Sequence, residues 1–204
     1  MSKSVKRTGT IVLVVMMCFL LVACGTGPKG KQAGESAEQA VKNYLEAVKK
    51  KDQNTKSQYL EGSDSLGDST EAYEEMPELE DKIVDFDYKI LSSEEQEDQA
   101  VVLVEITTYD FKTFFSKVIE DMFAKASEIT LSEGAEIDED AMMNEIIEDN
   151  LSLLQSKNTT TEAEIELNKH EDGWKIKDSD SVANAVLNGT LDMLEDASGD
   201  FSGE

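Results

Sequence analysis

The chain has little of what catalytic and metal sites are usually built from. Its 204 residues include one histidine, two cysteines, two prolines and one tryptophan. Basic side chains number 19 against 44 acidic ones, a formal charge of −25, and the only arginine is Arg7. Two cysteines support neither a disulfide framework nor a four-ligand zinc site. The charge argues against nucleic acid as a partner, because binding there needs a basic face that displaces counterions. No Gly-x4-Gly-Lys-Ser/Thr stretch occurs, so a phosphate loop has no support. Apolar residues make up 39% of the chain, enough for one core and too few for a multispan membrane protein. The length fits one domain with a short leader or tail.

The N-terminus reads as a leader. Residues 1–7 carry Lys3, Lys6 and Arg7 and no acid, and a continuous apolar run follows from Ile11 to Val22. That run is short for a membrane span, which needs about 20 residues, and suits the apolar region of a secretory signal. It ends in Leu21-Val22-Ala23-Cys24-Gly25, which resembles the bacterial lipobox: a branched apolar residue, a tolerant position, a small residue, then cysteine. The resemblance implies a lipoprotein signal peptide over 1–23, cleavage before Cys24, and diacylglycerol and palmitate on Cys24. Cys18, inside the run, reads as an apolar filler.

Loss of the leader removes three basic residues and no acid, leaving 181 residues with 16 lysines and a charge of −28. Two acyl chains are sufficient for stable anchoring, while so negative a domain is repelled from an anionic leaflet. The expected location is extracytoplasmic, lipid-anchored through Cys24 to the outer face of the cell membrane. Residues 24–35 hold the lipidated cysteine and a Gly-rich flexible tether.

A single α+β domain is expected over 36–195, followed by a frayed acidic tail over 196–204. Ser36-Ala-Glu-Gln39 reads as a capping box, opening a helix with Ala37, Ala40, Val41, Tyr44, Leu45 and Val48 on one face. Asp52 caps a second, short helix carrying Tyr59 and Leu60. Residues 61–77 read as a loop with a helical turn around Tyr73 and Met76. Val84, Phe86, Tyr88 and Ile90 alternate as a strand, Ser92–Gln99 reads as a turn, and Ala100, Val102, Val104, Ile106 and Thr108 form a second strand. Val101 and Leu103 on its other face imply cover on both sides.

Asp110 caps a helix striped by Phe111, Phe114, Phe115, Val118, Met122 and Phe123, and another helix runs through Ile146, Ile147 and Leu154. Thr161, Ala163, Ile165 and Leu167 alternate with Glu162, Glu164 and Glu166, a turn spans Lys169–Gly173, and Trp174-Lys-Ile-Lys177 closes a second hairpin. A last helix runs from Asp180 to Leu194. The expected order is α-α-β-β-α-α-β-β-α: a curved antiparallel sheet built from two hairpins and covered by helices.

Two stretches together carry a family resemblance: Ser36–Tyr59 leading into Phe86–Tyr109, and Glu164–Leu167 through Asp172-Gly-Trp-Lys-Ile176 into Ala183–Gly189. They resemble Gram-positive lipoproteins whose soluble part is an NTF2-like, or cystatin-like, α+β cone. The helices over residues 110–155 then form a helical insertion that fills or caps the cone mouth. Were the cone open, Phe86, Tyr88, Val102, Val104, Phe114, Ile165 and Trp174 would line a pocket for a small apolar ligand.

Candidates for chemistry read more simply as structure. His170 sits in a turn beside Glu171 and Asp172, the wrong place for a shielded catalytic base. Asp138-Glu-Asp140 and Asp178-Ser-Asp180 lack the glycine and distal glutamate of a calcium loop and suit helix starts. Some NTF2-like relatives are isomerases with a polar Tyr/Asp pair in an apolar pocket, which Tyr88, Tyr109 and Asp110 could supply, but strand aromatics and a helix cap account for them. No catalytic residue, metal ligand or cofactor is assigned. The expected function is a non-catalytic binding domain for a small apolar ligand or an envelope partner. The alternative is an acidic module that meets basic envelope proteins, with an NTF2-like enzyme the least favoured.

Overall fold

The structure is a computed structural model and describes residues 34–67, 76–130 and 138–193. The leader, Cys24, most of the tether, Tyr73 and the acidic tail lie outside the described residues. Ser36 caps α1 (Ala37–Lys49), its side chain accepting from the Gln39 N–H, which satisfies one of the helix's orphan donors. Gln39 turns to Asn43 instead of reaching back, so the capping box is half made. The expected stripe on α1 is buried. Asp52 caps α2 (Gln53–Gln58). Tyr59 and Leu60 fall past its end rather than on it, and Leu60 forms a parallel bridge with Ile176.

The next helix corrects the sequence reading. Pro77–Val84 is α3, where a loop and then a strand were expected, so Val84 is helical and Phe86 lies in the link before the strand. Pro77 at the first helical position, acids Glu78 and Glu80 in the first turn, and buried Leu79, Ile83 and Val84 explain the helix. Strand β1 then runs Asp87–Gln96 and β2 runs Gln99–Thr108. Their turn is Glu97-Asp98 alone, with Glu97 at φ 39°, not the eight residues expected. A bulge between Ile90 and Ser92 shifts the register.

Asp110 starts α4 (Phe111–Thr130), accepting from the Thr113 N–H. Asp138 caps α5 (Glu139–Asn150), which tightens into a 3-10 turn at Leu151–Leu153. Strand β3 (Thr159–His170) and the short β4 (Gly173–Ile176) form the second hairpin. Its turn is again two residues, with Gly173 at φ 133°. Helix α6 spans Asp180–Val186; the single helix expected to Leu194 is interrupted because Asn188 and Gly189 adopt positive φ and break it, and Thr190–Met193 is helical again.

The four strands make one antiparallel sheet in the order β1-β2-β3-β4. Helices α1 and α6 pack against it. Among the described residues α1, α2 and α3 precede the first hairpin, and Ser65–Gly67 is helical as well, so there is more helix there than the two expected. Along β2, Ala100, Val102, Val104, Ile106 and Thr108 are buried on the helix-facing side. Val101 on the other side is 41% exposed, and among the described residues no helix supplies the cover expected on that face. Phe123 is 69% exposed, which removes it from the phenylalanine stripe, while Phe111, Phe114 and Phe115 are buried.

Candidate functional site

The residues nominated as pocket lining are brought together, and they are packed. Phe86, Val102, Val104, Phe114 and Ile165 have no exposed surface, and Trp174 is buried. They belong to one apolar cluster that also holds α1 and α6 side chains. Tyr88 is half-buried at the cluster's edge, 6.5 Å from Phe86 ring to ring. Its hydroxyl donates to Glu46 at 3.1 Å. Burial, and then this bond to a carboxylate, push the phenol up to about 12.

The polar candidates are held apart. Tyr109 donates to Asp85 at 2.7 Å, and Lys157 reaches the same carboxylate at 3.0 Å. The tyrosine bond first, and Lys157 after it, hold Asp85 below its ordinary value against burial. Asp110 accepts from the Thr113 amide and hydroxyl and from Asn188; these outweigh the burial that pushes it up, and its carboxyl is held down. Tyr88 thus pairs with Glu46, Tyr109 with Asp85, and Asp110 with the start of its own helix. His170, at the end of β3, lies 2.7 Å from Glu61 and remains substantially exposed. Asp180 accepts from Ser63 and Ser65. Among the described residues no three His, Cys, Asp or Glu side chains are grouped to hold a metal ion. Gly25–Gly30 matches the Gly-x-Gly-x-x-Gly spacing, but it follows the apolar leader run and lies outside the described residues, without the βαβ unit that gives such a motif its meaning.

The feature that sequence reading missed is the sheet's outer face. Its side chains are exposed or half-exposed along β1, β2 and the first part of β3. At its centre are Val101 and Leu103. The register sets Val101 between Glu94 and Glu166, and Leu103 between Ser92 and Glu164. Glu105, one step further, lies between Lys89 and Glu162. Glu166 is neutralised by Lys177 at 2.6 Å. Glu94, Glu105, Glu162 and Glu164 enter none of the ion pairs among the described residues.

Backbone direction sharpens this picture. Lys177 donates its N–H to the Glu166 carbonyl, and Lys169 donates to Asp98 across the other side. Even-numbered β3 residues therefore direct their backbone groups away from β2. Glu105 and Glu162 consequently form a non-hydrogen-bonded pair, the arrangement that brings opposed side chains closest. Like charges directly opposite each other in this way are destabilising. The chain tolerates that cost on an uncovered face with an apolar centre, which is the layout of a docking surface: a dry middle inside a polar rim.

A second feature is a cleft of about 440 Å3 between α3 and the end of α5, lined by Met76, Leu79, Ile147 and Leu151 with Glu78 and Glu148. Its volume falls in the range of small-ligand sites. No known protein family, curated protein or solved structure matches the chain.

Proposed function

We propose that the protein is a lipoprotein, anchored through diacylglycerol on Cys24 outside the cell membrane, whose NTF2-like α+β domain is a non-catalytic module that docks a basic envelope protein. One observation carries the docking reading: the open sheet face with Val101 and Leu103 framed by unneutralised Glu94, Glu105, Glu162 and Glu164. The packed state of Phe86, Phe114 and their neighbours leaves the sheet interior to folding and the outer face to binding. The partner presents an apolar residue ringed by lysine or arginine. Its association is steered by charge and weakens as salt rises.

The test places a photo-crosslinking residue at Val101 in cells that make the protein. The expected adduct is a basic envelope protein whose yield falls with salt and with Glu105→Gln and Glu164→Gln together. Adducts that are acidic, or insensitive to salt and to those changes, would refute the reading. The anchor is tested separately: Cys24→Ser must release the protein from membranes, and mass spectrometry must find acyl chains on the native Cys24.

The cleft favours a second reading. Its apolar floor and two carboxylates suit a small lipophilic cation, in keeping with a small apolar ligand but not with the residues first nominated for it. A long-chain alkylamine should raise the melting temperature of the native protein and not of Leu151→Glu; equal shifts in both would discard this reading.

A further inference from the structure

Strand β3 is paired along its whole length with β2, from Thr159–Thr108 to Asn168–Gln99, without a bulge. On its other side β4 covers only Leu167–His170. The Lys177 N–H closes one further bond to Glu166, and the chain then leaves for Ser179, which donates to the Ser63 carbonyl. The edge of β4 is itself covered, because Ile176 exchanges bonds with Tyr59 and Glu61. The first half of β3 has no such neighbour. Thr160, Glu162 and Glu164 are exposed, direct their N–H and C=O groups to this side, and receive no backbone bond there among the described residues.

Folded proteins blunt a free edge with lysine, proline or a bulge. The other edge strand, β1, carries a bulge at Ile90–Ser92, and its Glu95 side chain is tied to the Ala37 N–H. Thr160–Glu164 has no lysine, proline or bulge; its exposed charges, Glu162 and Glu164, guard it against another acidic strand and not against a basic one. It is regular, and its outward side chains are Glu162 and Glu164.

We infer that the Thr160–Glu164 edge is a strand-addition site that receives an extended basic segment of the partner. Main-chain hydrogen bonds to Thr160, Glu162 and Glu164 supply the pairing, and alternate lysines or arginines lie beside the two glutamates on the outer face. A second copy of the chain is the poorer occupant. Edge-to-edge pairing of two β3 strands sets Glu162 and Glu164 of one copy against the same acids of the other, in molecules that each carry −28 once the leader is lost. This inference rests on the docking of a basic partner proposed above and adds its mode.

The experiment uses the full lipidated chain in zwitterionic detergent and the acetylated, amidated peptide Lys-Val-Lys-Val-Lys-Val-Lys as probe. Residue-resolved hydrogen exchange is followed with and without peptide at low salt. The expected result is slowing of about tenfold or more at the Glu162 and Glu164 amides, as a new ladder of main-chain bonds requires. Amides of Ala163 and Ile165, already bonded to β2, should not change. A peptide of the same sequence N-methylated at every residue keeps its charge and loses its main-chain donors on both edges, and should give no protection. In Glu162→Pro, which removes a single outward N–H on an edge where proline is tolerated, binding should weaken while the rest of the sheet keeps its exchange pattern; should that variant misfold, the N-methyl comparison decides alone. Absence of protection at saturating peptide, or equal protection with the N-methylated peptide, overturns the edge inference. The wider reading then still stands if Val101 crosslinks a basic protein, and falls if it does not.

Discussion

A domain that keeps two glutamates face to face on an uncovered sheet should become more stable when one is neutralised. Glu105 and Glu162 are directly opposed in a non-hydrogen-bonded pair. With the carboxylates about 6 Å apart, repulsion through water is roughly 0.7 kcal/mol. Screening at physiological salt reduces it to about 0.3 kcal/mol. Glu164, two residues along the same face, adds a term of similar size, while Lys89 beyond Glu105 offsets a little. Glu162→Gln should therefore stabilise the fold by about 0.5 kcal/mol at physiological salt, and Glu162→Lys by about twice that, since it turns repulsion into attraction. In urea titrations of the native protein this is a rise in midpoint of about 0.3 M for glutamine, for a slope near 2 kcal/mol/M. The gain should grow at low salt and vanish near 1 M, where screening reaches only about 3 Å. A midpoint that falls, or rises equally at every salt concentration, would show that the two acids do not oppose each other and would remove the electrostatic case for the docking face. If the more stable lysine variant also loses the Val101 crosslink, the acids are kept at a cost in stability for the sake of binding.

Three further outcomes follow from the packing. Phe114→Ala, which opens a cavity beneath a fully buried ring, should cost about 3–5 kcal/mol, whereas Phe123→Ser, at an exposed position on the same helix, should change stability by less than about 0.5 kcal/mol; both are read by denaturant midpoint. Gly62→Ala should be strongly destabilising, because an added Cβ would sit 2.1 Å from the Lys177 carbonyl oxygen where the 59–61 segment caps β4; a melting temperature equal to that of the parent would refute this close approach. The Asp85 carboxyl should titrate below its ordinary midpoint by carbon-13 NMR, and Tyr109→Phe should move it upward. Since its folded value is depressed, the stability it lends is complete above the unfolded carboxylate range and is lost as pH falls through the folded value.

Periodicity made much of this fold legible. Alternation in β2 and β3 and the three-to-four spacing in α1 and α4 follow directly from which side chains are buried. Boundaries were less legible where local and tertiary preferences compete. Ser92–Gln96 is polar and reads as a turn, yet it is held in β1 by pairing with Leu103, Val102, Val101, Ala100 and Gln99. Pro77 and the acids after it were a helix start in plain sight, but Val84 and Phe86 also continue backward the alternation of Tyr88 and Ile90, and the two-residue period prevailed. The core side chains were identifiable from the sequence, but whether they enclose space depends on volumes that no pattern of residue types encodes.

The candidate site was hidden for a related reason. Apolar residues on both faces of a strand signal burial on both faces, and for Val101 and Leu103 that inference assumes that the covering layer belongs to the same chain. Here the described helices pack on one face only. Neighbours of opposite charge would make the outer face an ordinary wet surface, yet around the exposed valine Lys89 opposite Glu105 is the one cation that the register sets beside Glu94, Glu105, Glu162 and Glu164, and none of the four acids enters an ion pair among the described residues. Neither solvation nor internal packing rewards that combination: the valine gains nothing from water, and the opposed acids repel. A cationic, partly apolar partner resolves both costs at once, and a strand added along Thr160–Glu164 would place its basic side chains directly beside the two acids nearest the edge.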